Sequence, residues 1–114
     1  MSLKISRRET GEVTVVDLNG RLTLGDASAQ LRQTLRDLLD QGKRKIVLNL
    51  GQVGYIDSSG LGELVSSYTT VKNSGGQLKL AALTDKVNDL LTVTKLYTVF
   101  EIHGDEGAAV KSFS

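Results

Sequence analysis

Ile46-Val47-Leu48-Asn49-Leu50 is a strand-length run in which apolar residues follow one another without the polar alternation of a half-buried strand. Such a run is satisfied when both faces of a sheet are covered, as in a central parallel strand packed between helices. It therefore calls for helices on either side in the chain, and the sequence supplies both. Upstream, Ala27, Leu31, Leu35, Leu38 and Leu39 make an apolar stripe at helical spacing, with Arg32 and Arg36 outside it. Gly25-Asp26 offers a start to this helix and Gly42 a stop. Downstream, Leu61, Leu64, Val65, Tyr68 and Val71 form the buried stripe of a second helix, closed by Gly75-Gly76.

The flanking segments extend the alternation. Leu3 to Arg8 and Glu12 to Leu18 have the composition of two strands joined through Thr10-Gly11, which predicts a hairpin. Asn19-Gly20 is expected to close the second strand, with Arg21-Leu22-Thr23-Leu24 extending towards the first helix. Gly51 to Gly54 are expected to lead from the central strand into a turn at Asp57. Gln77 to Ala82 is a further strand, and Thr84 or Asp85 caps a short helix carrying Val87, Leu90 and Leu91. Tyr97 to Ile102 is expected to be the last strand. A short helix from about Asp105 then offers Ala109, Val110 and Phe113 to the sheet. The class is α/β: a mixed, mostly parallel sheet of about four to five strands with about four helices, right-handed crossovers and an antiparallel hairpin at one edge.

With 114 residues, 39% of them hydrophobic, the chain suits one domain over residues 1–114. Fourteen basic and thirteen acidic side chains are mixed along it, for a net charge of +1. No electrostatic field demands nucleic acid or an anionic membrane, so neither is an expected partner. The absence of cysteine excludes disulfides and thiolate metal sites, and a single histidine leaves little for a transition metal, so no cofactor is expected. Met1 to Arg8 lacks the apolar core of a signal peptide and no stretch approaches membrane-spanning length, which makes the cytoplasm the expected location.

In α/β sheets, sites gather where strand C-termini meet helix N-termini, and Asp57-Ser58-Ser59-Gly60-Leu61-Gly62 lies at such a junction. Asp57, Ser58 and Ser59 are all capping residues, and Glu63 suits the positive end of the helix dipole. One cap suffices. Two adjacent hydroxyls followed by small residues are expected to leave the helix mouth open to another protein. Phosphorylating a serine there adds close to two negative charges without requiring a new fold, which describes a switch. The plain alternative is a strand-to-helix turn and nothing more.

Other chemistry finds less support. Ser58 as a nucleophile lacks the Gly-x-Ser-x-Gly elbow, and its base would have to be His103, far along the chain and better read as a strand end. Gly42-Lys43 resembles the end of a phosphate-binding loop, but position 37 is Asp and Arg44 replaces the required hydroxyl residue. Lys43-Arg44-Lys45 complements a helix C-terminus and has no aromatic platform beside it.

At Ile56-Asp57-Ser58-Ser59-Gly60-Leu61-Gly62, reached through Ile46 to Leu50, the sequence resembles the anti-sigma factor antagonists of the STAS domain family. Leu18-Asn19-Gly20-Arg21-Leu22 resembles the family's strand-end segment, and Ser74-Gly75-Gly76-Gln77-Leu78 its exit from the second helix, so the resemblance covers nearly the whole chain. It implies a STAS-like fold and a stand-alone antagonist with Ser58 as the phosphorylated residue. Asp57, Ser59, Gly60, Leu61 and Gly62 would be partner contacts, joined by Gly20, Arg21 and Thr23. The implied partners are an anti-sigma factor that is also a serine kinase, holding ATP in its own fold, and a metal-dependent serine phosphatase. Capture of the kinase releases a sigma factor; the chain itself is substrate and ligand, not enzyme. Many relatives resemble Gly-Glu-Leu-Asp where this chain has Gly20-Arg21-Leu22-Thr23, with Asp26 further on, so Arg21 changes the local charge. The other use of such a domain is a subunit of a transporter accessory complex or signalling scaffold, in which the same turn docks a partner and phosphate plays no part.

Overall fold

The apolar run lies where its composition requires, in the middle strand of a five-stranded sheet. The computed structural model describes residues 3–113. Its elements are β1 (Lys4–Thr10), β2 (Val13–Leu22), α1 (Asp26–Asp40), β3 (Lys45–Ile56), α2 (Ser58–Asn73), β4 (Gln77–Ala81), α3 (Asp85–Val93), a 3-10 turn (Leu96–Thr98), β5 (Glu101–His103) and α4 (Glu106–Lys111). The sheet order is β1-β2-β3-β4-β5, antiparallel in its first pair and parallel in the rest.

Alternation along β3 separates two apolar clusters. Ile46, Leu48 and Leu50 join the larger one with Leu31, Leu35 and Leu38 of α1, Leu61, Leu64 and Val71 of α2, and Val87 and Leu91 of α3. Val47 points the other way, among Val13, Val15, Ala81 and Ala109, with Val110 and Phe113 of the α4 region packed against them. Burying both faces of one strand accounts for the run of apolar residues.

Two expectations need correction. β2 does not close at Asn19-Gly20, nor does β3 end before Gly51. Both continue, to Leu22 and Ile56, because register shifts between Asp17 and Asn19 and between Gly20 and Arg21 absorb the irregularity, with Gly20 at φ 124°. This is how a bulge keeps two strands paired past residues that would otherwise end them. Of Tyr97 to Ile102, only Glu101 and Ile102 belong to the last strand. Lys95 at φ 62° begins the 3-10 turn, Phe100 packs edge-on against Tyr68 at 5.6 Å between ring centroids, and pairing with β4 starts only at Glu101. Its aromatic content serves packing rather than a ladder. Among the described residues, no helix is long and apolar enough to cross a membrane.

Candidate functional site

The parallel register brings the ends of β2 and β3 side by side, Leu22 opposite Ile56, and both chains turn there. Asp57 holds the two turns together. Its backbone N–H donates to the Leu22 carbonyl at 3.4 Å, and its own carbonyl accepts from the Leu61 N–H at 2.9 Å. One carboxylate oxygen accepts from the Gly60 N–H at 2.8 Å, capping α2; the other accepts from the Leu24 N–H at 3.1 Å, pinning the β2–α1 connection. The Gly60 amide bond is the main reason that the Asp57 carboxyl titrates below its ordinary 3.8, and the Leu24 amide adds to it. A fixed negative charge therefore stands at the helix mouth at neutral pH.

With Asp57 as the cap, the two serine hydroxyls are spared. Ser58 is the first residue of α2 and is exposed; Ser59 is half-buried. Among the described residues neither side chain enters a hydrogen bond. The glycines beyond them differ. A methyl group at Gly60 would sit 2.0 Å from the Leu22 carbonyl oxygen, whereas one at Gly62 would meet nothing within 4 Å. Gly60 and Leu61 are buried, so they bring α2 against β2 from beneath and present no open surface, contrary to the expectation for this stretch. The open surface is Ser58, part of Ser59 and Gly62, with Leu24, 77% exposed, on the adjoining connection.

Gly20, Arg21 and Thr23 lie at the same end of the sheet, Gly20 and Thr23 half-buried and Arg21 exposed. The Thr23 carbonyl accepts from the Ser28 hydroxyl at 2.8 Å. Glu63 does not face the helix mouth as expected: it is 7% exposed and binds the Arg32 guanidinium at 2.7 Å, joining α2 to α1. His103 ends β5, two strands from β3, with its Nε2 2.6 Å from Glu101. The nucleophile-and-base pairing therefore fails on topology. Among the described residues, no cluster of three or more histidine, aspartate and glutamate side chains is placed to hold a metal ion.

Sequence reasoning passed over Leu24, Tyr55 and Lys86 as site residues. The Arg21 guanidinium lies 4.6 Å from the centroid of the Tyr55 ring, and Lys86 Nζ lies 5.6 Å from the same ring. Tyr55 borders the serine turn in sequence, but only the fold delivers Lys86, from the start of α3.

Residues 4–109 match the STAS domain family. The anti-sigma-B factor antagonist of Bacillus subtilis (strain 168) is 29% identical over 111 residues, spanning 97% of this chain and 100% of that protein. A Thermotoga maritima protein of known structure superposes with a TM-score of 0.86 at 26% identity, covering 95% of this chain and 92% of the other. The Bacillus cell fate determinant SpoIIAA, in its phosphorylated form, superposes with a TM-score of 0.74 at 20% identity over 97% of this chain and 100% of that one. The extent of the family match and the arrangement of these strands and helices agree: the chain belongs to the STAS domain family.

Proposed function

We propose that this protein is an anti-sigma factor antagonist whose binding of an anti-sigma factor is switched off by phosphorylation of Ser58. The observation that carries this reading is the exposed Ser58 hydroxyl at the first position of α2, without a hydrogen bond among the described residues and with the capping already done by Asp57. A hydroxyl with no structural task can be modified at little cost to the fold. Support also comes from the names of the relatives and from a solved structure of the same fold in a phosphorylated form.

In the unmodified protein, Ser58, Gly62 and Leu24 leave a low surface onto which a second backbone can settle. Asp57, Ser59, Gly20, Arg21 and Thr23 border it, and Gly60 and Leu61 shape it from below. Phosphate brings about 1.5 to 2 negative charges at neutral pH. The Gly60 amide is already taken by Asp57, so the phosphoryl oxygens stand outward beside a carboxylate. The partner then meets added volume and a negative charge raised from about one to between about 2.5 and 3, and affinity falls without refolding. The anti-sigma factor is the serine kinase and supplies the ATP; a metal-dependent serine phosphatase resets the chain, which is ligand and substrate rather than enzyme. One domain working in the cytoplasm is sufficient for this cycle.

Incubation with the purified anti-sigma factor kinase and ATP, followed by peptide mass spectrometry, tests the assignment. Phosphate is expected on the peptide holding Ser58 in the native chain and none in Ser58→Ala. Ser58→Glu is expected to bind the kinase on the order of 100-fold more weakly than the native chain, from introduced charge at a docked surface. Equal labelling of Ser58→Ala, or native affinity in Ser58→Glu, would overturn the reading.

A further inference from the structure

β3 outruns its neighbour. β4 leaves the pairing at Asn49, while β2 accompanies β3 as far as Ile56, so the end of β3 stands above the sheet in a two-stranded projection. The projection's free side is met by the start of α3, where the Thr84 hydroxyl donates to the Val53 carbonyl at 3.0 Å. Tyr55 lies near the tip and is 38% exposed. Two cations converge on its ring from separate elements, Arg21 from β2 at 4.6 Å and Lys86 from α3 at 5.6 Å.

Among the described residues, neither Arg21 nor Lys86 enters an ion pair or a side-chain hydrogen bond. Arg8, by contrast, is shared between Asp17 and Glu106, and Arg32 is bound to Glu63; Arg36 also lacks an acidic partner among the described residues, so what sets Arg21 apart is its convergence with Lys86 on one ring. The acids nearest in sequence do not do this for the Tyr55 pair. Asp57 spends both carboxylate oxygens on the Leu24 and Gly60 amides, and Asp85 is exposed without a partner among the described residues. A ring face holds a cation by only about 0.5–1 kcal/mol at an exposed site, and two like charges at one ring repel each other. An incoming carboxylate relieves that repulsion.

The geometry points to Arg21, Tyr55 and Lys86 as the docking site for an acidic segment, rich in Asp or Glu, of the same protein partner that covers Ser58. This rests on the reading of Ser58 given above and adds the charge of the surface that the partner presents. Leu24, on the connection from Arg21 to α1, donates its N–H to Asp57 at the start of α2, so the cationic ring site and the serine are continuous. Two cations and one ring are little for a polyphosphate backbone, which draws on many phosphate contacts. They suit a short acidic stretch. A phosphate on Ser58 has the same sign as that stretch and opposes it at close range, so attraction and switch act on one segment.

Stopped-flow association of the purified anti-sigma factor kinase with the native chain and with Arg21→Glu/Lys86→Glu tests the site. The double variant is expected to associate at least about tenfold more slowly at low salt and to lose the salt dependence of the native rate. Unchanged or faster association overturns the inference, and if Ser58→Glu loses binding in the same series, the Ser58 reading survives that result. Native affinity in Ser58→Glu removes the switch, while the double variant still decides the docking site. A second arm needs no partner: hexaglutamate is titrated into the labelled chain. Amide shifts are expected around Arg21, Tyr55 and Lys86, absent in Arg21→Ala/Lys86→Ala. No shifts, or larger shifts with oligothymidylate, overturn the inference.

Discussion

Gly60 and Gly62 lie two positions apart in one helix and meet opposite surroundings. The first is small because β2 passes directly over it, with the Leu22 carbonyl oxygen 2.0 Å from where a methyl group would stand. The obstacle is backbone, so it cannot rotate away, and Gly60→Ala is expected to lose on the order of 3 kcal/mol as α2 is pushed off β2. Gly62 has open space at the same distance. Placing alanine there costs nothing in packing and removes the glycine's entropic penalty in a helix, so Gly62→Ala is expected to gain about 0.5–1 kcal/mol. Denaturant titration of the two variants checks both signs; equal effects would contradict this assignment of the two glycines. If a partner settles over the helix mouth, Gly62→Ala also weakens its binding while stabilising the free chain. The sequence shows two glycines in one helical pattern, and only the packing of α2 on β2 tells them apart.

α4, at six residues, is too short to persist as an isolated helix and is held by what it touches. Ala109, Val110 and Phe113 cover the second face of the sheet, and Asp105 caps the Ala108 N–H at 2.8 Å. Glu106 binds Arg8 of β1, which also holds Asp17 of β2, and accepts from the Asn49 side chain of β3 at 3.0 Å. Arg8 is the main cause of a Glu106 carboxyl titrating below its ordinary 4.5. A carboxyl depressed in the folded state stabilises it above the unfolded value, and that contribution is lost as pH falls through the folded one. As pH falls below the ordinary 4.5, the Ala109 and Ser112 amides are therefore expected to lose protection against hydrogen exchange, relative to the unfolded chain at the same pH, before the sheet opens, and Glu106→Gln is expected to flatten this trend. Exchange that stays uniform across α4 and β3 would refute it. Ala109, Val110 and Phe113 were legible as sheet-packing residues from their spacing. The ion network was not, because Arg8, Asp17, Asn49 and Glu106 come from four elements and meet only after the sheet forms. The overhang of β3 was hidden for a related reason: Gly51 and Gly54 read as breakers, and pairing with a bulged β2 overrides them.

At the scale of the whole molecule, the site is a seam between two strand ends, closed by one aspartate and standing on a sheet whose two faces are independently packed. The position of Ser58 was legible because capping residues in excess of need mark a helix start, whereas the Arg21, Tyr55 and Lys86 cluster depends on three separate elements converging. The seam bears on the proposed switch. The Ser58 side chain is exposed and enters no hydrogen bond among the described residues, so neither the clip at Asp57 nor the buried stripe of α2 has to move when its charge changes. Phosphorylation would shift the net charge from +1 to between about −0.5 and −1, and would place that charge at the positive end of a helix dipole rather than in a core. The free energy of unfolding of the phosphorylated chain, or of Ser58→Glu, is accordingly expected to stay within about 0.5 kcal/mol of the native value, as for surface substitutions generally. Far-ultraviolet circular dichroism should be unchanged. Partner affinity should fall in the same samples. A large loss of stability on phosphorylation would mean that the modification acts by melting α2, and the rigid-surface account of the switch would have to be given up.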